Sequence, residues 1–312
     1  MLTGKTEYKM TRVPCGDYTL KSGHKIPRLG FGTWNIKPEL ATKVVEYAIH
    51  NGYRHIDCAD VHENLKEVGQ GIRNKISDGT VKRSELFVTT KLWNIYHRSE
   101  NVEEGVNAAI NPLGLAYVDL LLMHYPLALK YNSKKAYYPG DKKGNPLLDN
   151  NEKAHYLNTW KKMIEIKNNP NNPNRIKSMG VSNFNIFQLD ILRATNYPPD
   201  VNQIEGHPYL IQDELTEYCF QYEIQIINSS PLGSPGISSW NPEYDKLIEN
   251  EKVKELALTY KKTVGQILIK FCLQRGCVCI PKSQNFFRII ENTKVFDFKG
   301  CFLVMYCRVN EI

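Results

Sequence analysis

The feature that most restricts this chain is an alternation. Short apolar runs recur along it, and between them lie longer stretches with the spacing of a helix that buries one face. The apolar runs are 30–33, 53–57, 86–90, 118–123, 176–181, 201–205, 225–228 and 278–280. Helical spacing is read in 38–50, 101–110, 152–166, 186–194, 213–221, 253–260 with 264–274, and 287–294. In 38–50 the apolar face is expected to carry Leu40, Val44, Tyr47 and Ala48. Strands that alternate with helices imply a parallel sheet. At 312 residues the closed (β/α)₈ TIM barrel is the favoured arrangement, as a single domain over residues 1–312. The alternative, an open doubly wound sheet, calls for a GxGxxG turn after its first strand, and the sequence has none.

Residues 18–27 read as a β-hairpin with Ser22-Gly23 at its turn, placed to plug the barrel bottom. Two long connections, 125–150 and 231–250, each follow a strand and so belong on the face where such barrels do chemistry. The Asn/Pro-rich stretch 168–174 precedes a strand and is read as a surface loop on the opposite face.

Composition narrows the function. Hydrophobic residues make up 42% and charged residues 23%, as in a soluble globular protein, and no run of apolar residues is long enough to span a membrane. The first ten residues are polar and lack the apolar core of a signal peptide, so the chain is expected in the cytoplasm. The eight cysteines (Cys15, Cys58, Cys219, Cys272, Cys277, Cys279, Cys301 and Cys307) show no CxxC pair and no zinc-ligand spacing, and read as free, mostly buried thiols with no metal site. The net charge of +7 comes without a Lys/Arg block or an RNA-binding signature, and a phosphorylated small molecule accounts for it as well as nucleic acid does.

Polar and aromatic side chains gather where the strands end. Trp34 follows the first and Asp57 ends the second; Lys91 follows the third and His124 the fourth. Ser182 and Asn183 follow the fifth, Gln203 lies in the sixth, Ser229 and Ser230 follow the seventh, and Lys282 and Ser283 follow the eighth. Taken singly these are a helix cap, a surface lysine or a satisfied core histidine. A barrel brings all of them to one rim.

The motifs Leu29-Gly-Phe-Gly-Thr-Trp34, Gly52-Tyr-Arg-His-Ile-Asp-Cys-Ala59, Thr90-Lys-Leu-Trp93, Asp119-Leu-Leu-Leu-Met-His124, Gly180-Val-Ser-Asn-Phe184, Val201-Asn-Gln-Ile-Glu205 with His207-Pro-Tyr209, Ser230-Pro-Leu-Gly-Ser234, and Ile280-Pro-Lys-Ser283 with Arg288, Glu291 and Asn292 stand in the order of a known family. The sequence resembles the aldo-keto reductases, most closely the aldose reductase branch, over about residues 16–298. The resemblance implies a monomer that reduces aldehydes and ketones with NADPH and without a metal. It gives Asp57 and Lys91 the role of an ion pair that tunes the proton donor, and His124 that of orienting the substrate carbonyl. Ser182, Asn183 and Gln203 would hold the nicotinamide carboxamide, with Thr33, Trp34 and Asp57 beside the cofactor. Ser230, Pro231, Leu232, Gly233 and Ser234 would cover the pyrophosphate. Ile280 and Pro281 would lead into Lys282, Ser283 and Arg288 on the 2′-phosphate, with Glu291 and Asn292 near the adenine. Lys282 and Arg288 suit a phosphate dianion and so favour NADPH over NADH. Trp34, Trp93, His124 and Tyr125 would line the substrate pocket.

The sequence departs from the family in three places. The family's proton donor is a tyrosine five residues after the aspartate, and here that position is His62, with Asn64 and Glu67-Val-Gly69 holding the register. A histidine is an effective acid only as imidazolium, which Lys91 disfavours and Asp57 favours; the sequence leaves that balance open. A reaction slowed by about 10²-fold is expected. The family tyrosine that stacks on the nicotinamide is replaced by Ser229. After Phe298 only Lys299–Ile312 remain, an apolar end unlike the family's and read as truncated or alternatively spliced. The expected function is therefore an NADPH-dependent carbonyl reductase of impaired activity; the alternative is a catalytically weak or inactive NADPH-binding barrel with a binding or structural role.

Overall fold

A computed structural model of the chain describes residues 16–131, 136–171, 175–235 and 246–300. The described residues begin with the expected hairpin, β1 (Asp17–Thr19) and β2 (Lys25–Pro27), paired antiparallel. Gly23 closes its turn at φ +83°, a conformation that glycine adopts without strain. Eight parallel strands follow in strict sequence order: β3 (Phe31–Gly32), β4 (His55–Asp57), β5 (Phe87–Leu92), β6 (Val118–Met123), β7 (Ile176–Ser182), β8 (Val201–Glu205), β9 (Gln225–Ser229) and β10 (Val278–Cys279). The first and last strands also meet. Cys279 N–H donates to Arg28 O at 2.9 Å, Gly30 N–H to Cys279 O at 2.9 Å and Gly32 N–H to Pro281 O at 3.1 Å. These bonds join the two edges of the curled sheet, as closing a barrel requires.

Side chains alternate along the strands. Leu120 and Leu122 of β6 join Phe87, Val201, Ile227, Val278 and Ile280 in an inner cluster, while Leu121 and Met123 face the helices. Leu20 and Ile26 of the hairpin complete the inner cluster. The hairpin is also tied by polar contacts, Ser22 N–H to Asp200 Oδ1 at 2.7 Å and Ser22 Oγ to Ser178 Oγ at 2.8 Å. Ser178 lies early in β7 and Asp200 just precedes β8, so the hairpin plugs the N-terminal end of the barrel and leaves the C-terminal end for chemistry.

Around the strands run α1 (Pro38–His50), α2 (Leu65–Ser77), α3 (Val102–Ile110), α4 (Tyr156–Lys167), α5 (Ile186–Arg193), α6 (Asp213–Gln221), α7 (Glu251–Tyr260), α8 (Val264–Gln274) and α9 (Phe286–Glu291). Two sequence expectations need correction. The sequence pattern names no helix between the second and third barrel strands, where α2 stands. The buried face of α1 is Ala41, Val44, Val45, Ala48 and Ile49, while Leu40 is exposed. Several strand ends also shift: Lys91 lies inside β5 and Ser229 inside β9 rather than beyond them. Cys58, Cys219, Cys272, Cys277 and Cys279 are free and buried. Cys15, Cys301, Cys307 and most of the atypical end fall outside the described residues. Among the described residues no helix is long and apolar enough to cross a membrane.

Candidate active site

The C-terminal ends of β4 to β6 carry a compact polar cluster. Lys91 and Asp57, each about 2% exposed, form an ion pair at 2.5 Å, and Lys91 Nζ also donates to Cys58 O at 3.2 Å. Asp57 ends β4 and Lys91 points inward from the adjacent β5, so the parallel ladder itself sets their approach. The second carboxylate oxygen is also engaged: Gln203 Nε2 on β8 donates to Asp57 Oδ2 at 2.7 Å across the barrel. Buried charge is tolerable only with such partners.

His62 follows β4 in a 3₁₀ turn, Asp60–His62, and is half-buried. Burial, and after it the Lys91 ammonium, hold its pKa well below the usual imidazole value. His124, one residue past β6, stands across the mouth with ring centroids 6.3 Å apart; burial, Lys91 and then His62 depress it too. Asp57 is engaged by Lys91 and Gln203, while burial and the Lys91 charge both oppose the His62 imidazolium.

Thr33, just past β3, joins these residues. Its Oγ1 donates to Asp57 O at 3.0 Å and lies 3.5 Å from His62 Nδ1. On the opposite wall Ser182 Oγ and Asn183 N–H both donate to Gln203 O, at 2.8 and 2.9 Å. Asn183 adopts the left-handed region at φ +64°, and its Nδ2 donates to His124 O at 3.0 Å and Ser182 Oγ at 3.1 Å.

An aromatic wall surrounds the mouth. Trp93 is buried and its ring meets His124 edge-on at 5.1 Å; Tyr125 stacks on His124 at 5.3 Å; Trp34 is 49% exposed. The connection 125–150 adds to this wall, which the sequence signals only by its length. Trp93 Nε1 donates to Tyr137 O at 2.7 Å, Tyr137 OH donates to Asp60 Oδ1 at 3.0 Å, and Tyr138 stands edge-on to Trp93 at 5.3 Å. Tyr137, Tyr138 and Asp60 were not legible as rim residues.

The remaining expected residues form a second stretch of the rim. Ser229 is half-buried, Ser230 and Ser234 are left-handed, and Pro231 and Gly233 are buried beside half-buried Leu232; 236–245 lie outside the described residues. Ile280, Pro281 and Ser283 are buried, and burial pulls the Lys282 pKa down. Arg288 is exposed on α9, Glu291 accepts from Thr263 Oγ1 at 2.8 Å, and Asn292 is buried. Among the described residues neither Lys282 nor the Arg288 guanidinium has an ion-pair or hydrogen-bond partner.

The sequence model of the Aldo/keto reductase family matches residues 28–300. The chain belongs to the aldo/keto reductase family. It is 38% identical over 283 residues to aldo-keto reductase family 1 member A1-A of Danio rerio, covering 90% of this chain and 85% of that protein. It is 39% identical over 287 residues to dihydrodiol dehydrogenase 3 of Bos taurus, covering 90% and 86%. Among solved structures, the aldose reductase from Schistosoma japonicum is similar at a TM-score of 0.83 and 34% identity, over 93% of this chain and 90% of that one. The chain is thus an aldo/keto reductase barrel whose polar rim lies at the strand ends described above.

Proposed function

We propose that this aldo/keto reductase barrel binds NADPH and reduces aldehydes or ketones to alcohols, at a rate limited by His62. The observation that carries the reading is the cluster of Asp57, Lys91, His62 and His124 inside an aromatic mouth, on the end of the barrel where such folds do chemistry.

The donor set fits the cofactor. Lys282 and Arg288, unpaired among the described residues, supply charge for a phosphate dianion, and burial of Lys282 makes an anionic partner favourable. Asn183 Oδ1, Gln203 Oε1 and the second Gln203 N–H have no partner among the described residues. Two acceptors and a donor complement a primary carboxamide. When bound, the reduced nicotinamide supplies the hydride. The chain's residues then orient the carbonyl against His124, exclude water with Trp34, Trp93 and Tyr125, and present a proton at His62. That last task is the weak one, because a neutral imidazole is a poor acid. Ser229 offers no aromatic face to the nicotinamide.

The same two residues favour a second reading, an NADPH-binding barrel with little or no catalysis. Two measurements separate the readings. NADPH should quench the tryptophan fluorescence under both. Oxidation of NADPH by an aromatic aldehyde, faster at acidic than at alkaline pH, is expected only under the first; quenching without turnover at any pH removes it, and the absence of both removes both.

A further inference from the structure

At the end of the barrel that the hairpin plugs, away from the polar rim, lies a cavity of about 380 Å³. Its lining sets three cations, Arg28, Lys270 and Lys299, against an apolar wall of Leu273, Phe296 and Phe298. Arg28 follows β2, and its guanidinium lies over the Tyr18 ring of β1 at 5.1 Å. Lys270 comes from α8, and Lys299 from the segment beyond α9.

Lys270 is the unusual member. It is the only charged residue of α8 and stands in a run, Gln266–Leu273, in which every residue is buried. Lys270 itself is 8% exposed. A leucine there would pack without desolvating an ammonium, so the charge calls for a partner. The chain supplies part of one. Lys270 Nζ donates to Val295 O at 2.8 Å, which uses one of its three N–H groups, and it lies over the Phe298 ring at 5.1 Å. Asp297, the one carboxylate of the lining, is held by Lys262 Nζ at 2.6 Å. Burial, and then the Arg28 charge, pull the Lys270 pKa down; Asp297 opposes this, and Lys262 and Lys299 add to it.

The other two cations also keep donors in hand. Arg28 Nη2 donates to Leu273 O at 3.0 Å, which leaves most of its fork uncommitted to any carbonyl or carboxylate. Lys299 is exposed and pairs with no carboxylate among the described residues. Three cations and one carboxylate give the described lining a net charge of +2. In a concave and partly apolar surface such a charge is poorly screened and concentrates anions. A phosphate dianion neutralises it and takes several charge-assisted hydrogen bonds at once; a single carboxylate leaves half of it standing.

We propose that this cavity binds a small phosphate monoester, with the phosphate on Lys270, Arg28 and Lys299 and an apolar body on Phe296 and Phe298. The site lies apart from Lys282 and Arg288 and stands whether or not the barrel binds NADPH.

Phenyl phosphate is the probe, titrated into the full-length chain by calorimetry at low salt and slightly alkaline pH, where the phosphate is a dianion. It should bind saturably. Phenol, which lacks the charge, should not bind, and inorganic phosphate, which lacks the apolar body, should bind about tenfold more weakly. Lys270→Met, which keeps the packed stem and removes the charge, should weaken phenyl phosphate binding about tenfold or more. Lys299→Ala, at an exposed position where folding is not at stake, should weaken it severalfold. Lys282→Ala, at the opposite end of the barrel, should leave it unchanged. Absence of saturable binding up to about 10 mM overturns the inference. So does binding that survives both Lys270→Met and Lys299→Ala, or that is lost in Lys282→Ala instead.

Discussion

Both oxygens of Asp57 are occupied, one by Lys91 and one by Gln203, and this arrangement sets the chemistry of His62. A carboxylate turned toward the imidazole would favour its cation; here the Lys91 ammonium acts on the ring, and it opposes that cation. Replacing His62→Tyr puts a phenol, neutral and protonated at pH 7, beside the same ammonium, which lowers a phenol's pKa rather than removing its proton-donating form. The variant is expected to reduce an aromatic aldehyde about 10²-fold faster in kcat/KM with NADPH affinity unchanged. Steady-state kinetics check this; a folded, NADPH-binding variant that is no faster contradicts the lost-acid account. Ser229→Tyr is a separate residue-scale case. An aromatic face at the end of β9 is expected to tighten NADPH binding by about 1 kcal/mol, roughly five-fold in Kd, as read by fluorescence titration. The positions of Asp57, Lys91 and His124 were legible because each falls at or beside a strand end, and that of His62 from the family's spacing after Asp57. Their balance was not, since the Gln203–Asp57 bond joins residues 146 apart in sequence and nothing local announces it.

At the scale of elements, strands and most helices follow from periodicity, and the one missed helix shows where periodicity fails. In α2 the contact positions include Gly69, where a Cβ would lie 2.3 Å from Leu113 O, and Gly71, where one would lie 2.8 Å from Thr42 O. Close approach of the helix to its neighbours demands glycine where the pattern looks for an apolar side chain, so the signal is weakest at the positions of tightest packing. The hairpin was legible from its turn, and its energetic role comes from the barrel. Leu20 and Ile26 are 3% and 0% exposed and close the inner cluster from below. Ile26→Ala is expected to cost about 2–5 kcal/mol, since rigid strands around the site limit its collapse. Urea unfolding measures the loss; a cost below about 1 kcal/mol means that the hairpin is peripheral to the barrel core. That the connection 125–150 belongs to the catalytic face was legible from its length and from the strand it follows. Its anchors, Tyr137 to Trp93 and Asp60, depend on tertiary contacts.

For the molecule as a whole, the buried histidines make stability depend on pH in a definite direction. His55, at 0% exposure, and His97, at 1%, are both pushed to about 4, in each case mainly by burial. For His55, Asp57 pulls upward and Lys91 downward, while His97 is pulled upward by a backbone bond and Asp149. His62 and His124 shift the same way. In the unfolded chain these rings take up protons near pH 6.5; in the fold His55 and His97 do so only near 4. Between those values the unfolded state binds more protons, so acid favours unfolding. The stabilisation is complete above about pH 6.5 and declines toward 4 by about 1.4 kcal/mol per pH unit for each such histidine, or about 3 kcal/mol each over the window. The net charge of +7 grows more positive on the same descent and adds self-repulsion in the same direction. Thermal unfolding followed from neutral to mildly acid pH should therefore show a steadily falling midpoint. His97→Leu should make that decline shallower by one histidine's share, whatever it does to stability at neutral pH, because the slope counts protons and the offset counts packing. A decline as steep in His97→Leu as in the parent rules out His97 as one of the groups that take up a proton on unfolding.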